Sequence, residues 1–303
     1  MAISSRPFAD EDDYARMREM LMDGFAIADP PAFSTVGCTI GDLDWWRWTA
    51  NPGDGIKNAQ LWFDGDDLIA IAWPGVGQVD LLVHPEHREI EPLMLEWTEE
   101  QPLARSVDKE GRTGIRTWSF DGDEVRKETL RRAGYERTDE ALCFRHRADL
   151  TDVPIPTVPE GYLIRHVMGE QDLERRVEAH RDAFAPSKMT VEKHCNVMHS
   201  LTYRPELDLV VEAPDGSFAA YCLVWFDERN RFGIFEPVGC HSDYRQRGLT
   251  RAVMYEGMRR MRELGATRAF VNSKLGEPAA TALYESVGLP VLDENHAWVK
   301  LLD

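Results

Sequence analysis

The sequence predicts an α/β fold with a mixed sheet, arranged as two tandem domains of one design. Two observations lead to this prediction. The first half of the 303-residue chain recurs in the second half, and the second half shows a run of strands followed by alternating strands and helices. A chain of this length has room for two ordinary domains.

The repeat is visible in residues that keep their spacing. Three residues of the first half recur 159 positions later: Arg6, Asp13 and Phe25 as Arg165, Asp172 and Phe184. The segment VHPEHR (83–88) corresponds to CHSDYR (240–245), which lies 157 positions later. A period this long indicates duplicated domains rather than a solenoid.

A proline-rich segment separates the halves. TDVPIPTVPEG (Thr151–Gly161) contains three prolines and no helical pattern, so we interpret it as a stiff, extended linker. We therefore predict a first domain at 1–150, a linker at 151–160 and a second domain at 161–303.

The elements of the second half follow from hydrophobic periodicity and turn residues. The predicted strands are Leu163–Met168, Leu207–Ala213, Ser217–Trp225, Phe232–Cys240, Ala269–Ser273 and His296–Leu301. The predicted helices are Glu170–Phe184, Gly248–Leu264 and Pro278–Val287. No motif marks the segment from Ala185 to Arg204.

Charge and composition exclude several classes of protein. The formal net charge is −18, which argues against nucleic-acid binding because phosphate contacts need a positive surface. The acidic balance suits either cationic partners or simple solubility. No apolar run would span a membrane and no signal peptide is evident. The five cysteines are scattered along the chain, so we expect reduced thiols and a cytoplasmic protein. We expect a monomer or a homodimer.

An anion-binding loop is predicted where the strand Phe232–Cys240 leads into Arg245–Thr250 and then a helix. Backbone N–H groups at a helix start can hold phosphate, and Gly248 lets the backbone come close to a ligand. Six arginines and one glutamate lie between Arg245 and Arg262, so an anion would be attracted there. A solvated basic helix face is the alternative.

The strand before this loop carries a candidate general base. Alternation along the strand places four residues on one face: Ile234, Glu236, Val238 and Cys240. Among them Glu236 is the candidate base for an amine; a surface or salt-bridged glutamate is the alternative. Pro237 cannot donate to a ladder and Gly239 weakens one, so a bulge or splay is expected here.

A tyrosine in PAATALYESVGL (Pro278–Leu289) is the second candidate catalytic group. Tyr284 lies within the predicted helix, shortly before a glycine that can end it. A core tyrosine with a satisfied hydroxyl is the alternative.

Together the two segments resemble the GNAT superfamily of acetyl-CoA-dependent N-acetyltransferases. That family carries (R/Q)-x-x-G-x-(G/A) after its fourth strand, which appears here as Arg245, Gly248 and Thr250. It also carries N-x-x-A-x-x-L-Y-x-x-x-G-F, which appears here as Ala280, Leu283, Tyr284, Gly288 and Leu289. The resemblance is clear over residues 161–303. Residues 1–150 resemble the family only weakly, as a diverged copy of the same domain. The resemblance implies two tandem GNAT-like domains, the N-terminal one degenerate.

The resemblance implies acetyl-CoA as acyl donor and the primary amine of a small molecule as acceptor. The acidic net charge favours a cationic acceptor, and the sequence leaves its identity open. The Val238 N–H would meet the developing oxyanion, and the backbone of Gly239 and Cys240 would pair with pantetheine. Tyr284 would protonate the CoA thiolate. The pyrophosphate would lie on six residues: Arg245, Gln246, Arg247, Gly248, Leu249 and Thr250.

Three residues depart from the family's pattern. Thr250 replaces a glycine or alanine, Glu277 stands where asparagine is usual, and Leu289 replaces phenylalanine. Thr250 adds a side chain where the pyrophosphate would pass, so we expect weaker or altered binding.

The first half is predicted not to catalyse acetyl transfer. Its corresponding loop, Arg88–Pro92, has no glycine and contains Glu89 and Glu91, whose charges would repel an anion. Leu130 stands where the tyrosine belongs.

A non-catalytic acyl-CoA sensor and a structural tandem module are the alternatives to an enzyme. No metal site is expected, because His194-Cys195 and Cys240-His241 lack further ligands at zinc spacing. The cluster of Trp45, Trp46 and Trp48 is suited either to packing or to holding a cationic or aromatic acceptor.

Overall fold

In a computed structural model, the protein is described over residues 3–27, 37–50 and 55–302. Its contacts divide the chain into two compact units. Unit 1 comprises Met1–Thr39, Ala50–Cys143 and Leu292–Asp303, and unit 2 comprises Ile40–Thr49 and Phe144–Val291. Two short segments therefore group with the opposite half of the chain. The boundaries predicted for the duplicated domains stay predictions.

The helices and strands are as follows. The helices are α1 (Glu11–Ile27), α2 (Ile40–Thr49), α3 (Glu91–Glu99), α4 (Glu124–Arg132), α5 (Leu173–Ala183), α6 (Val191–Met198), α7 (Leu249–Glu263) and α8 (Pro278–Ser286). The strands are β1 (Ile3–Pro7), β2 (Gln60–Asp64), β3 (Asp67–Gly75), β4 (Gln78–Val83), β5 (Arg105–Val107), β6 (Thr113–Phe120), β7 (Glu136–Arg147), β8 (Leu163–His166), β9 (Asp208–Glu212), β10 (Phe218–Asp227), β11 (Phe232–Cys240), β12 (Arg268–Lys274) and β13 (Val291–Leu301).

Unit 1 contains two groups of hydrogen-bonded strands. Strands β1 to β4 form an antiparallel sheet in chain order. The second group has the order β5, β6, β13, β7, in which β13 pairs antiparallel with β6. Its core lies between these strands and α3, and includes Trp62, Leu81, Met94, Leu130 and Trp298.

Unit 2 is built on the order β12, β11, β10, β9, β8, with the end of β7 beside β12. Strands β8 to β11 form an antiparallel meander, and β11 runs parallel to β12. The predicted mixed α/β sheet is confirmed. Side chains of β10 alternate between its two faces: Cys222 and Val224 pack in the core with α7, while Tyr221 packs in a separate core cluster on the other face.

The sequence repeat has a structural counterpart in each unit. In unit 1, Arg6 pairs with Asp13 at 2.5 Å, joining β1 to the first turn of α1. In unit 2, Arg165 pairs with Asp172 at 2.5 Å, joining β8 to the start of α5. Both aspartates are buried and also accept a backbone N–H four residues earlier in the chain. The two units therefore begin with the same ion pair between a strand and the helix that follows it.

Element prediction was accurate where the pattern was strong. The bounds of β11 match the prediction, and those of α7, α8 and β12 differ by one residue at one end or both. Helix α6 lies in the segment that carried no motif. All five cysteines are thiols. Within the described ranges, no helix is both long and apolar enough to cross a membrane.

Candidate active site

A bulge in β11 places its side chains differently from the prediction. Val224 of β10 lies opposite Phe235, whereas Cys222 lies opposite Val238, so β11 holds one extra residue at Glu236-Pro237. The extra residue reverses the alternation. Phe235 packs in the α7 core cluster, and Val238 and Cys240 pack against it. The prediction that Ile234, Glu236, Val238 and Cys240 share one face is therefore wrong, because strict alternation does not continue through a bulge.

Strand β11 also separates from its parallel neighbour at this point. Its pairing with β12 runs from Phe232 opposite Arg268 to Phe235 opposite Val271, while β11 itself continues to Cys240. The splay expected from Pro237 and Gly239 is thus present. It leaves the backbone from Val238 to Cys240 beyond the end of the β12 ladder, with groups that can hydrogen-bond a ligand.

The loop after β11 leads directly into the N-terminus of α7. Gln246 (φ 62°) and Gly248 (φ 74°) both have left-handed backbone conformations, and Leu249 begins the helix. The first intrahelical bond is donated by Ala252 to the Gly248 carbonyl, so the N–H groups of the preceding turn are not used inside the helix. Arg245, Gln246, Arg247 and Gly248 are exposed.

Two side chains of the predicted anion loop make contacts within the protein. Arg247 donates to the Tyr162 hydroxyl at 2.8 Å and to the Asp243 carbonyl at 3.0 Å. The Thr250 hydroxyl hydrogen-bonds the Cys240 thiol, and burial raises the pKa of that thiol. Thr250 therefore contacts the last residue of β11.

Glu236 forms a carboxyl pair with Asp42 of α2, which belongs to the same unit. Helix α2 lies close against this strand: an added Cβ at Gly41 would overlap Trp225 and touch Ile234. The Trp225 indole donates to the Glu236 carbonyl oxygen at 2.7 Å. Burial, and then the charge and hydrogen bond of Asp42, raise the pKa of Glu236 well above its ordinary value. The pair therefore holds a proton at pH values where a solvated carboxyl would have lost it.

Tyr284 lies on the opposite side of β11, in the core beneath α7. It is 7% exposed, and burial raises the pKa of its hydroxyl, against the opposing influence of Arg145. The Arg145 guanidinium lies 5.9 Å from the centre of the tyrosine ring. The charge of Glu236 also acts on the pKa of Tyr284, so the two predicted catalytic groups lie within electrostatic range of each other.

Aromatic side chains cover the face of β11 that α2 and α5 approach. An added Cβ at Gly239 would overlap the Tyr221 ring. The Tyr221 hydroxyl lies 3.2 Å from His180 Nδ1, and the His180 ring lies 6.0 Å from Trp45 and 4.9 Å from Phe184. Burial lowers the pKa of His180 to about 3, so this ring is neutral at physiological pH.

Residues 173–289 match the model of the acetyltransferase (GNAT) family. This segment is therefore similar to a GNAT acetyltransferase domain, and it is called the GNAT domain below. This span contains β11, the loop and both predicted catalytic residues, Glu236 and Tyr284.

Comparison with whole proteins extends the match. A mycothiol acetyltransferase of Streptomyces coelicolor is 23% identical over 252 residues, which cover 78% of this chain and 77% of that protein. Both the family model and this relative are acetyltransferases by description.

Solved structures show the same tandem fold. A tandem GNAT protein from the clavulanic acid biosynthesis pathway aligns with a TM-score of 0.65 and 15% identity, over 99% of this chain and 98% of that chain. A GCN5-related N-acetyltransferase from Sphaerobacter thermophilus aligns with a TM-score of 0.64 and 18% identity, over 99% and 95% of the two chains. The tandem GNAT arrangement predicted from the repeat is confirmed.

The corresponding loop of unit 1 is filled by buried ion pairs. Arg88 pairs with Glu91 and, at 2.7 Å, with Asp123. Arg126 pairs with Glu91 at 3.3 Å. Burial alone would raise the pKa of Glu91, but Arg126 and Arg88 outweigh it and lower the pKa. The arginine that matches Arg245 of the GNAT domain is thus engaged inside the protein.

Sequence reasoning missed three groups in the GNAT domain and its surroundings: Asp42, Arg145 and His180. No motif spacing could have indicated them, because they come from α2, β7 and α5, which only the fold brings to β11 and α8. A separate group in unit 1, Asp121, Glu294 and His296, has the geometry of possible metal ligands. There the Arg137 guanidinium lies 2.6 Å from His296 Nε2 and 3.2 Å from Asp121.

Proposed function

We propose that the GNAT domain transfers the acetyl group of acetyl-CoA to the primary amine of a small, cationic acceptor. The observation that carries the proposal is the arrangement on β11. A carboxyl pair lies at its bulge, the backbone from Val238 to Cys240 lies beyond the β12 ladder while it stays paired with β10, and a glycine loop leads into α7. A base, a hydrogen-bond donor for a carbonyl oxygen and an anion cradle are thus carried by one continuous segment.

The residues of the loop fit the donor. Acetyl-CoA supplies an acetyl thioester, whose carbonyl carbon an amine can attack. The exposed backbone at Arg245 to Gly248, with Leu249 and Thr250 of the first helical turn, offers N–H groups and positive charge for a pyrophosphate. The backbone of Gly239 and Cys240 would pair with the pantetheine arm, and the Val238 N–H would donate to the carbonyl oxygen.

The carboxyl pair supports an amine acceptor. An amine arrives as an ammonium ion at neutral pH and must lose a proton before it attacks. A cation beside Glu236 favours its ionised form. The raised pKa of Glu236 brings it nearer to that of an amine, which makes it a stronger base than a solvated glutamate. The half-buried Trp45, near His180, offers a ring for cation–π contact.

Tyr284 would then act as the proton donor. As the C–N bond forms and the C–S bond breaks, the departing thiolate takes the hydroxyl proton of Tyr284. The nitrogen loses two protons in all, one before it attacks and one after the C–N bond has formed. Glu236 accepts them in turn and passes each to solvent, from which Tyr284 regains its own proton. We place catalysis in the second half, because in unit 1 Leu130 replaces the tyrosine and Arg88 is held by Glu91 and Asp123.

Release of the CoA thiol from acetyl-CoA tests the proposal. The acceptors are spermidine, 2-phenylethylamine, glucosamine and cysteamine, which differ in charge and in apolar surface. We expect release with at least one amine and a fall of about 100-fold or more in Glu236→Gln. Glu263→Gln, at the exposed end of α7, is the matched control and should behave like the wild type.

Two results would contradict the proposal. Acetyl-CoA binding without thiol release for any amine would indicate an acyl-CoA sensor instead. Equal rates in Glu236→Gln and the control would remove Glu236 as the base.

A further inference from the structure

Arg145 is a buried cation whose hydrogen bonds all go to neutral groups. It is 1% exposed. Its Nε donates to the Ser273 hydroxyl at 3.1 Å, and its two Nη atoms donate to the Leu289 carbonyl at 3.3 Å and the Thr281 hydroxyl at 3.1 Å. Among the described residues, no carboxylate forms an ion pair with it. A charge without a counter-ion is costly to bury, so the presence of the Arg145 guanidinium at this position calls for a reason.

The position of Arg145 supplies one. Its three partners lie on β12, on α8 and just after α8, and they hold the guanidinium 5.9 Å from the centre of the Tyr284 ring. Thr281 and Tyr284 are three residues apart on α8, so both lie on the same helical face. The buried charge is thus fixed to the helix that carries the tyrosine.

We propose that Arg145 is a positioning residue that makes Tyr284 a more effective proton donor to the departing CoA thiolate. When the hydroxyl gives up its proton, the tyrosine becomes an anion in a buried environment. A fixed positive charge nearby stabilises that anion more than the neutral phenol. The effect is strengthened because little water screens it. This inference rests on the role proposed above for Tyr284.

The electrostatics of the site agree with this role. Burial raises the pKa of Tyr284, and the charges of Glu277 and Glu236 raise it further. Arg145 is the group that opposes them. Without it, the hydroxyl would be a weaker acid and proton transfer to the thiolate would be less favourable.

A double-mutant cycle separates this role from a purely structural one. The variants are Arg145→Gln, Arg145→Lys and Tyr284→Phe, with each Arg145 variant also made in the Tyr284→Phe background. The readout is kcat for CoA-thiol release from acetyl-CoA, with the fastest amine of the four named above. Calorimetric affinity for acetyl-CoA and the unfolding temperature are measured for every variant.

We expect Arg145→Gln to lower kcat by about 10-fold in the wild-type background and by less than about 2-fold in Tyr284→Phe. Arg145→Lys loses the three hydrogen bonds of the guanidinium but keeps the positive charge. Its kcat should therefore exceed that of Arg145→Gln. A structural role predicts instead that both variants lose activity alike. If Arg145→Gln does not fold, Arg145→Met, which is also uncharged, is measured in the two backgrounds instead.

The outcomes distinguish a failure of the inference about Arg145 from a failure of the role proposed for Tyr284. Equal losses on both backgrounds would overturn the inference about Arg145 and leave the proposed function intact. An unchanged kcat in Tyr284→Phe would remove Tyr284 as proton donor and the inference with it.

Discussion

The Asp42 carboxyl hydrogen-bonds the Glu236 carboxyl at the bulge of β11. Asp42 comes from the first half of the chain, yet α2 groups with the unit that contains Glu236. The pair has consequences for both stability and catalysis, because two neighbouring carboxyls cannot both ionise freely.

The first prediction concerns stability against pH. The folded pKa of Glu236 lies above its unfolded value, so between the two the native state holds a proton that the unfolded state has lost. Stability is then lost as pH rises through that window. Each unit of raised pKa corresponds to about 1.4 kcal/mol.

Glu236→Gln removes this pH-dependent loss. We expect it to melt at the same temperature as the wild type near pH 4 and at a higher temperature at pH 8, by about 2–4 °C per kcal/mol. Thermal unfolding from pH 4 to pH 8 measures this. Glu263→Gln serves as control, and a pH-independent difference for Glu236→Gln would contradict the account.

The second prediction concerns Gly239. A Cβ at this position would overlap the buried Tyr221 ring, so Gly239→Ala should destabilise the protein by about 1–3 kcal/mol. It should also lower turnover, because the backbone beside Val238 must shift. In the control, Gly75→Ala, the nearest atom is Gln78 Cγ at 3.8 Å. Urea unfolding should distinguish the two variants, and equal stabilities would show that the contact can relax without cost.

The third prediction concerns the buried ion pairs of unit 1. Arg126→Ala leaves Glu91, whose side chain is 2% exposed, with one arginine fewer, at an expected cost of about 3–5 kcal/mol. Arg112→Ala breaks an exposed pair with Asp108 and should leave the stability close to that of the wild type. Denaturant unfolding measures both. A small loss of stability in Arg126→Ala would contradict the account, because these ion pairs would then contribute little to the loop of unit 1 that corresponds to the anion-binding loop.

The fourth prediction concerns Tyr284 itself. Tyr284→Phe should lower kcat by about 10- to 1000-fold, because CoA thiol leaves slowly without a proton donor but does not wholly depend on one. Acetyl-CoA affinity should stay close to that of the wild type, since the hydroxyl acts on the leaving group rather than on binding. Tyr255→Phe, which removes a hydroxyl bonded to the Ser286 carbonyl, is the control. A loss confined to KM would contradict a role in proton transfer.

The sequence predicted local features better than assembled ones. The bounds of β11 and the splay after it follow from Pro237 and Gly239, whose backbone chemistry acts in place. The face occupied by Val238 and Cys240 was predicted wrongly, because a bulge of one residue reverses every side chain after it. Asp42 and Arg145 reach the site only through tertiary packing, and no sequence period links them to β11 or α8.

The position of acetyl-CoA is the central claim, and calorimetric titration with acetyl-CoA tests it most directly. Gly248→Glu adds a negative side chain to the loop before α7. Gly265→Glu makes the same change at another glycine of positive φ, beyond the far end of α7 and about 22 Å along its axis. The account predicts that Gly265→Glu binds acetyl-CoA like the wild type and that Gly248→Glu does not bind it. Equal binding by both variants would mean that acetyl-CoA binds elsewhere, and it would contradict the assignment of catalysis to the second half.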